Sequence, residues 1–202
     1  MKTIVLAITG ASAQPIAEKV LYLLLTNNFN IHLIMSRGAY EVWSSEIGIK
    51  VPLEPKHQKE FWTKRLNVDN GNLTCHKWND NSAIIASGSY KTKAMVIVPC
   101  TMGTIGRIAS GFSLNLIERC ADVHLKESRP LILSPRETPL SLIHLRNLTS
   151  LSEAGAIICP PIPAWYTKPV TLDDMVNFLA IRLFDSLGED LGTLDRWKGA
   201  LK

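Results

Sequence analysis

The chain has 202 residues, 46% hydrophobic and 20% charged, with a formal net charge of +4. That length suits one domain spanning 1-202 with a three-layer core, and no Lys/Arg block or aromatic-interleaved basic run points to nucleic acid. Its four cysteines form no Cys-x-x-Cys pair, and no segment approaches the roughly 18 apolar residues of a membrane span, so reduced thiols in a cytoplasmic protein are expected.

Thr3 to Thr9 is a near-continuous apolar run, as in a parallel strand buried on both faces, and reads as a strand rather than a signal peptide. Gly10-Ala-Ser-Ala13 is a turn, and Pro15 suits the first helical position because it has no N–H to orphan. Ile16, Val20, Leu23 and Leu24 mark a helix face that ends at Asn27-Asn28. A second strand, Ile31 to Met35, leads through Ser36-Arg37-Gly38 to a helix ending near Glu46. Pro52 and Pro55 punctuate a loop, with a short helix from Lys59 to Leu66 and a short strand from Leu73 to Trp78. Ser87-Gly88-Ser89 is a small-residue loop.

Ala94 to Pro99 is the clearest internal strand. A small polar loop, Cys100-Thr-Met-Gly-Thr104, follows it, and a helix from Asn115 then carries Arg119 and Lys126 back towards that loop. Leu131 to Ser134 is a strand, 140–153 a helix capped by Gly155, and Ala156 to Cys159 the last strand. Thr171 caps a final helix, with Asp173 and Asp174 favourably placed at its positive end. Alternation of this kind predicts an α/β fold: a three-layer, doubly wound, mostly parallel sheet of flavodoxin or Rossmann type.

In such a sheet the ligand lies beyond the carboxyl ends of the strands. Those ends supply amides, hydroxyls, arginines, an acid and an aromatic, and amides at a helix start after a Gly/Ser turn bind anions. The Gly-x-Gly-x-x-Gly pattern fails, because positions 12 and 15 are Ser and Pro, and Ser36-Arg37 replaces the ribose-binding acid. A mononucleotide such as FMN therefore fits better than a dinucleotide, with NADP through Arg37 a weaker option. No His, Cys or acid cluster suggests a metal. Lys126, Arg136 and Arg182 together are suited to neutralising a phosphate.

Gly10-Ala-Ser12, Ser36, Glu46, Ser87-Gly88-Ser89, Pro99-Cys-Thr101, the block Asn115 to Glu127, Pro135-Arg-Glu-Thr-Pro-Leu140, His144-Leu145, Gly155-Ala156, Tyr166 and Arg196-Trp197 occur in order along nearly the whole chain. In them the sequence resembles the UbiX/Pad-type flavin prenyltransferases. The resemblance implies an FMN-binding subunit of a homododecamer, with sites at subunit interfaces. Its implied reaction moves a dimethylallyl group from dimethylallyl phosphate to N5 and C6 of reduced FMN, without a metal, making the cofactor of UbiD-type decarboxylases. Carried over by position, Gly10, Ala11, Ser12, Ser36, Thr101, Met102, Gly103, Thr104 and Arg136 would hold FMN. Lys126, Tyr166 and Arg182 would hold the prenyl phosphate, with Ser87, Gly88, Ser89, Arg119 and Trp197 around it. Ser12, Glu46 and Glu137 would handle protons.

The chain departs from the family pattern at Ala13, where a glycine is usual, and at Asn81, where relatives often carry a Trp. Two rivals stand beside this reading. A flavin-dependent cysteine-type decarboxylase would need an early catalytic His and a Pro-x-Met-Asn segment, and neither is found. A non-catalytic flavin carrier would share the same pocket.

Overall fold

The computed structural model describes residues 1–68 and 72–191. Six strands make one sheet: β1 (Thr3–Ile8), β2 (Asn30–Met35), β3 (Leu73–His76), β4 (Ala94–Cys100), β5 (Leu131–Pro135) and β6 (Ile157–Ile158). Their order is β3-β2-β1-β4-β5-β6, and every pairing is parallel, with Ile4 of β1 facing Ile31 on one side and Ala94 on the other. Parallel neighbours need crossovers, and helices supply them. These are α1 (Gln14–Thr26), α2 (Arg37–Ile47), α3 (Pro55–Leu66), α4 (Met102–Ala109), α5 (Leu116–Lys126), α6 (Leu142–Glu153) and α7 (Leu172–Ser186).

Alternation along the strands divides the core in two. Ile4, Leu6 and Ile8 pack with Val20 and Leu24 of α1, Trp43 of α2, Trp62 of α3 and Phe184 of α7. Val5 and Ala7 face the other way, onto Ile105 of α4, Ile117 and Cys120 of α5 and Leu151 of α6. The result is the expected three-layer α/β arrangement, with the sheet parallel throughout rather than mostly so.

One helix begins earlier than the sequence suggests, and another, α4, is not expected from it at all. Pro55 is not a loop breaker but sits in the first turn of α3, where its missing N–H costs nothing. The stretch Cys100–Thr104 is likewise not a loop: Thr101 caps α4, its hydroxyl accepting from Thr104 N at 3.1 Å, so Met102, Gly103 and Thr104 form the first helical turn. Gly103 and Thr104 are weak helix formers, and that masked the start. On α7, Phe178 and Leu183 are buried, whereas Met175 and Leu179 are only partly covered.

Ala13 precedes α1 with φ 91° and ψ 33°, in the left-handed region, and offers no side-chain cap. A Cβ there costs about 1–2 kcal/mol, which glycine avoids at a smaller cost in unfolded-chain entropy. Ala13→Gly should therefore raise stability by about 0.5–1 kcal/mol. A higher urea midpoint with unchanged slope would bear this out, and a lower midpoint would contradict it.

Helix α6 buries only Leu151 fully, leaving Leu142 and Ile143 more than half exposed. Leu145 and Leu140 beside them are also exposed. An apolar strip of this kind marks a contact surface.

Candidate functional site

The order of strands reverses between β1 and β4, the point where ligands bind in doubly wound sheets. A cavity of about 320 Å³ opens there, lined by Thr9 and Gly10 after β1, Ser36 to Gly38 at the start of α2, and Thr101 and Thr104 at the start of α4. Trp78, Arg107, Asn115 and Ile117 complete it. Two helix starts thus point their free amides into one hollow, an arrangement that attracts an anion. Ser36 caps α2 by accepting from Ala39 N at 3.1 Å.

Local bonds fix the turn after β1. The Thr9 hydroxyl donates to Pro99 O at 2.8 Å and accepts from Thr101 N at 2.8 Å, locking the ends of β1 and β4 together. Fully buried Gln14 donates from Nε2 to Thr9 O and Ala11 O, at 3.0 and 2.8 Å. Ala13 has no hydroxyl to cap α1; Glu46 of α2 accepts from Gln14 N instead, at 3.2 Å. Ser12 and Glu46 therefore flank one helix start. Gly10 comes so close to Gly38 that an added Cβ would lie 2.8 Å from the Gly38 carbonyl carbon. Backbone packs on backbone, leaving the space above the turn for a ligand.

The predicted residues do not all gather here. Helix α5 starts beside the cavity, with Leu116 N donating to Trp78 O, and runs away from it. Its far end leads by a turn into the beginning of β5, so Lys126 lies at the amino edge of the sheet, contrary to expectation. The seven-residue β4 separates the two edges by roughly 20 Å, at about 3.3 Å per residue. Lys126 instead joins Ser87-Gly88-Ser89: a methyl placed on Gly88 would lie 3.4 Å from its Nζ. That loop is tightly fastened. Arg119 Nε donates to Ala86 O at 3.0 Å, and Arg129 donates to Tyr90 O at 2.7 Å and Gly88 O at 2.5 Å. The hydroxyls of Ser87 and Ser89 are 2.8 Å apart and exposed.

A third group lies beyond β5 and β6. Arg136 and Glu137 are exposed and line a cavity with Pro160 to Ile162. They do not pair; Glu137 accepts from Thr138 N at 3.1 Å. Arg182 borders a separate cavity on the other side of Pro160–Ile162, with Ser134 and Cys159, and bonds Asp185 at 2.7 Å. Tyr166 sets its ring edge-on to Phe178 at 6.2 Å. Lys126, Arg136 and Arg182 thus do not meet within one chain. Asn81 is exposed in a turn, and Trp197 lies outside the described residues.

Sequence reasoning gave no role to Thr9, Trp78, Arg107 or the Asn115 side chain. Asn115-x-x-Glu118 at a helix start was the available signal: Asn115 accepts from Glu118 N at 3.0 Å as the cap of α5.

The buried histidines are held by protein partners. His32 lies between His76 Nε2 at 2.8 Å and Tyr90 OH at 2.9 Å, and His124 between Cys120 O and Thr92 Oγ1. Among the described residues no group of three or more His, Cys, Asp or Glu could hold a metal ion, and no helix is long and apolar enough to cross a membrane. Burial, with His76 alongside, pushes the His32 ring down to about 4 from an ordinary 6.5. Burial lowers His76 as well. The unfolded chain takes up these protons as pH falls below 6.5, while folded His32 resists until about 4. Stability should hence decline as pH drops through that window, by roughly 1–3 kcal/mol. Urea unfolding at stepped pH reads this directly. The dependence should shrink in His32→Asn, and an equally steep fall in that variant would refute the assignment.

Comparison with known proteins follows the same lines. Residues 1–183 match the Flavoprotein family. A flavin prenyltransferase UbiX from Synechocystis sp. is 48% identical over 200 residues, covering 98% of this chain and 97% of the relative. Among solved structures, AnUbiX (PadA1) in complex with FMN and dimethylallyl pyrophosphate matches with a TM-score of 0.87 at 39% identity, covering 99% of both chains. A dodecameric FMN-dependent Ubix-like decarboxylase from Escherichia coli O157:H7 matches with a TM-score of 0.85 at 34% identity, over 98% of this chain and 100% of that one. The family match over residues 1–183 makes the chain a flavoprotein. Identity at this level over nearly the full length narrows the class: the chain belongs to the flavin prenyltransferase family.

Proposed function

We propose that this protein forms one FMN-binding domain that transfers a dimethylallyl group from dimethylallyl phosphate to reduced FMN. The observation that carries the reading is the cradle between β1 and β4, where Gly10 packs on Gly38 and two helix starts face a single hollow. Family membership over nearly the whole length supports it. Reduced FMN supplies the nucleophilic ring atoms, N5 and then C6.

Gly10, Ala11, Ser12, Ser36, Thr101 to Thr104 and Arg136 hold the flavin. Lys126, Tyr166 and Arg182 hold the prenyl phosphate, with Ser87, Gly88, Ser89, Arg119 and Trp197 nearby. As the carbon–oxygen bond breaks, negative charge builds on the departing phosphate, and fixed cations stabilise it most when already in place. The bonds from Arg119 to Ala86 O and from Arg129 to Tyr90 O, at either end of the Ser87–Ser89 loop, supply that rigidity. The ring face of Tyr166 steadies positive charge on the allylic carbons. Ser12 holds a proton near N5, and Glu46 and Glu137 exchange protons with the phosphate.

One chain puts the cradle and the Ser87–Lys126 cluster at opposite sheet edges, so a working site takes its parts from more than one copy. The exposed Leu142, Ile143 and Leu145 of α6 provide apolar surface for the assembly, a homododecamer like the Escherichia coli relative. The protein works in the cytoplasm and passes prenylated FMN to a UbiD-type decarboxylase. The test is to incubate it anaerobically with reduced FMN and dimethylallyl phosphate and weigh the extracted flavin. A mass increment of one dimethylallyl group supports transfer. Unchanged FMN favours a carrier or a cysteine-type decarboxylase, and absence of flavin removes the reading.

A further inference from the structure

Arg107 lines the same cavity as the two helix starts, and its surroundings aim it. Its Nε donates to the carboxylate of Glu118, which is fully buried. That carboxylate also accepts from Leu114 N at 2.9 Å and from Asn115 Nδ2 at 2.8 Å, and Asn115 in turn accepts from Glu118 N. A buried carboxylate is tolerated only when donors surround it, and here they form a socket for one edge of the guanidinium.

The other edge stays available. Arg107 side-chain exposure is 42%, and its Nη2 lies 3.4 Å from Thr104 Oγ1, beside the cap of α4. Its Nη1 lies over Gly103, where an added methyl would stand 3.3 Å away, a tight contact. Two N–H-bearing nitrogens are thereby laid along the first turn of α4, across from the start of α2. A planar fork presented this way matches two oxygens of a phosphate.

We propose that Arg107 binds the phosphate of FMN and makes the cradle select the phosphorylated flavin over riboflavin, with Glu118 as its positioning residue. The inference rests on the reading of this cavity as the flavin site, and it adds a cation that Ser36 and Thr101 lack.

Titration of the flavin-free protein with FMN and, separately, with riboflavin tests it, followed by quenching of flavin fluorescence. Arg107→Gln alone would strand the buried Glu118 charge, so the informative variant is Arg107→Gln combined with Glu118→Gln, checked for an unchanged urea midpoint. FMN affinity should fall tenfold or more while riboflavin affinity holds, and the weakening of FMN binding by salt should diminish. Arg107→Lys should recover part of the preference. Equal loss for both flavins, or unchanged FMN affinity, overturns the assignment to Arg107 alone. Failure of the unaltered protein to bind either flavin overturns the cavity reading as well.

Discussion

Lys126→Met lowers prenyl transfer about a hundredfold or more while FMN affinity changes little, the expected result of removing one fixed cation from a developing phosphate charge. The split geometry behind this expectation makes a second result available. Lys126 lies with Ser87–Ser89 at the amino edge of the sheet, and Glu137 follows β5 at the carboxyl edge. If each catalytic centre combines the two edges from different copies, Lys126→Met and Glu137→Gln chains damage different halves of it. Mixed oligomers of the two inactive variants then regain activity, because about a quarter of the sites draw an intact half from each chain. Turnover in co-purified, differently tagged oligomers is the measurement. Verified mixed oligomers that stay as inactive as either parent would end the shared-site argument.

Gly10→Ala should be the most damaging conservative change in the cradle. Its Cβ would meet the carbonyl carbon of Gly38 at 2.8 Å and the Cα and O of that residue at 3.0 Å, so no side-chain rotation relieves the clash. The end of β1 and the start of α2 must separate, at a cost of roughly 1–3 kcal/mol typical of overpacking. FMN affinity should drop by at least tenfold as the two helix starts lose register. Gly38→Ala is the matched control, because its Cβ would sit 3.4 Å from Gly10 Cα, an ordinary contact. Denaturant melts and flavin titrations on both variants decide the matter. Equal effects from the two substitutions would show that the close approach does not govern the site.

Much of this architecture was legible in the chain because local rules agree with the global fold. Continuous apolar runs such as Val5 to Ile8 demand burial on both faces, and Asn27, Gly155 and Thr171 punctuate helices as capping chemistry requires. The start of α4 was hidden, since Gly103 weakens the local helical signal that the Thr101 cap restores. The direction of α5 was misread for a different reason. Nothing in the spacing of Arg119 and Lys126 says which sheet edge a helix leaves, whereas a parallel crossover dictates it. Arg107 escaped notice because its meaning depends on Glu118, eleven positions later and buried only after α4 and α5 pack.

The separation of the two edges also gives the protein a dependence on its own abundance. The close approach of Gly10 to Gly38 and both helix starts of the flavin cradle lie within a single chain, so that part of flavin binding needs no partner. On the shared-site reading turnover needs encounter between copies, so by mass action it should fade on dilution below the assembly threshold sooner than flavin binding at the cradle does. A newly made chain would then carry its flavin before it gains the means to alkylate it.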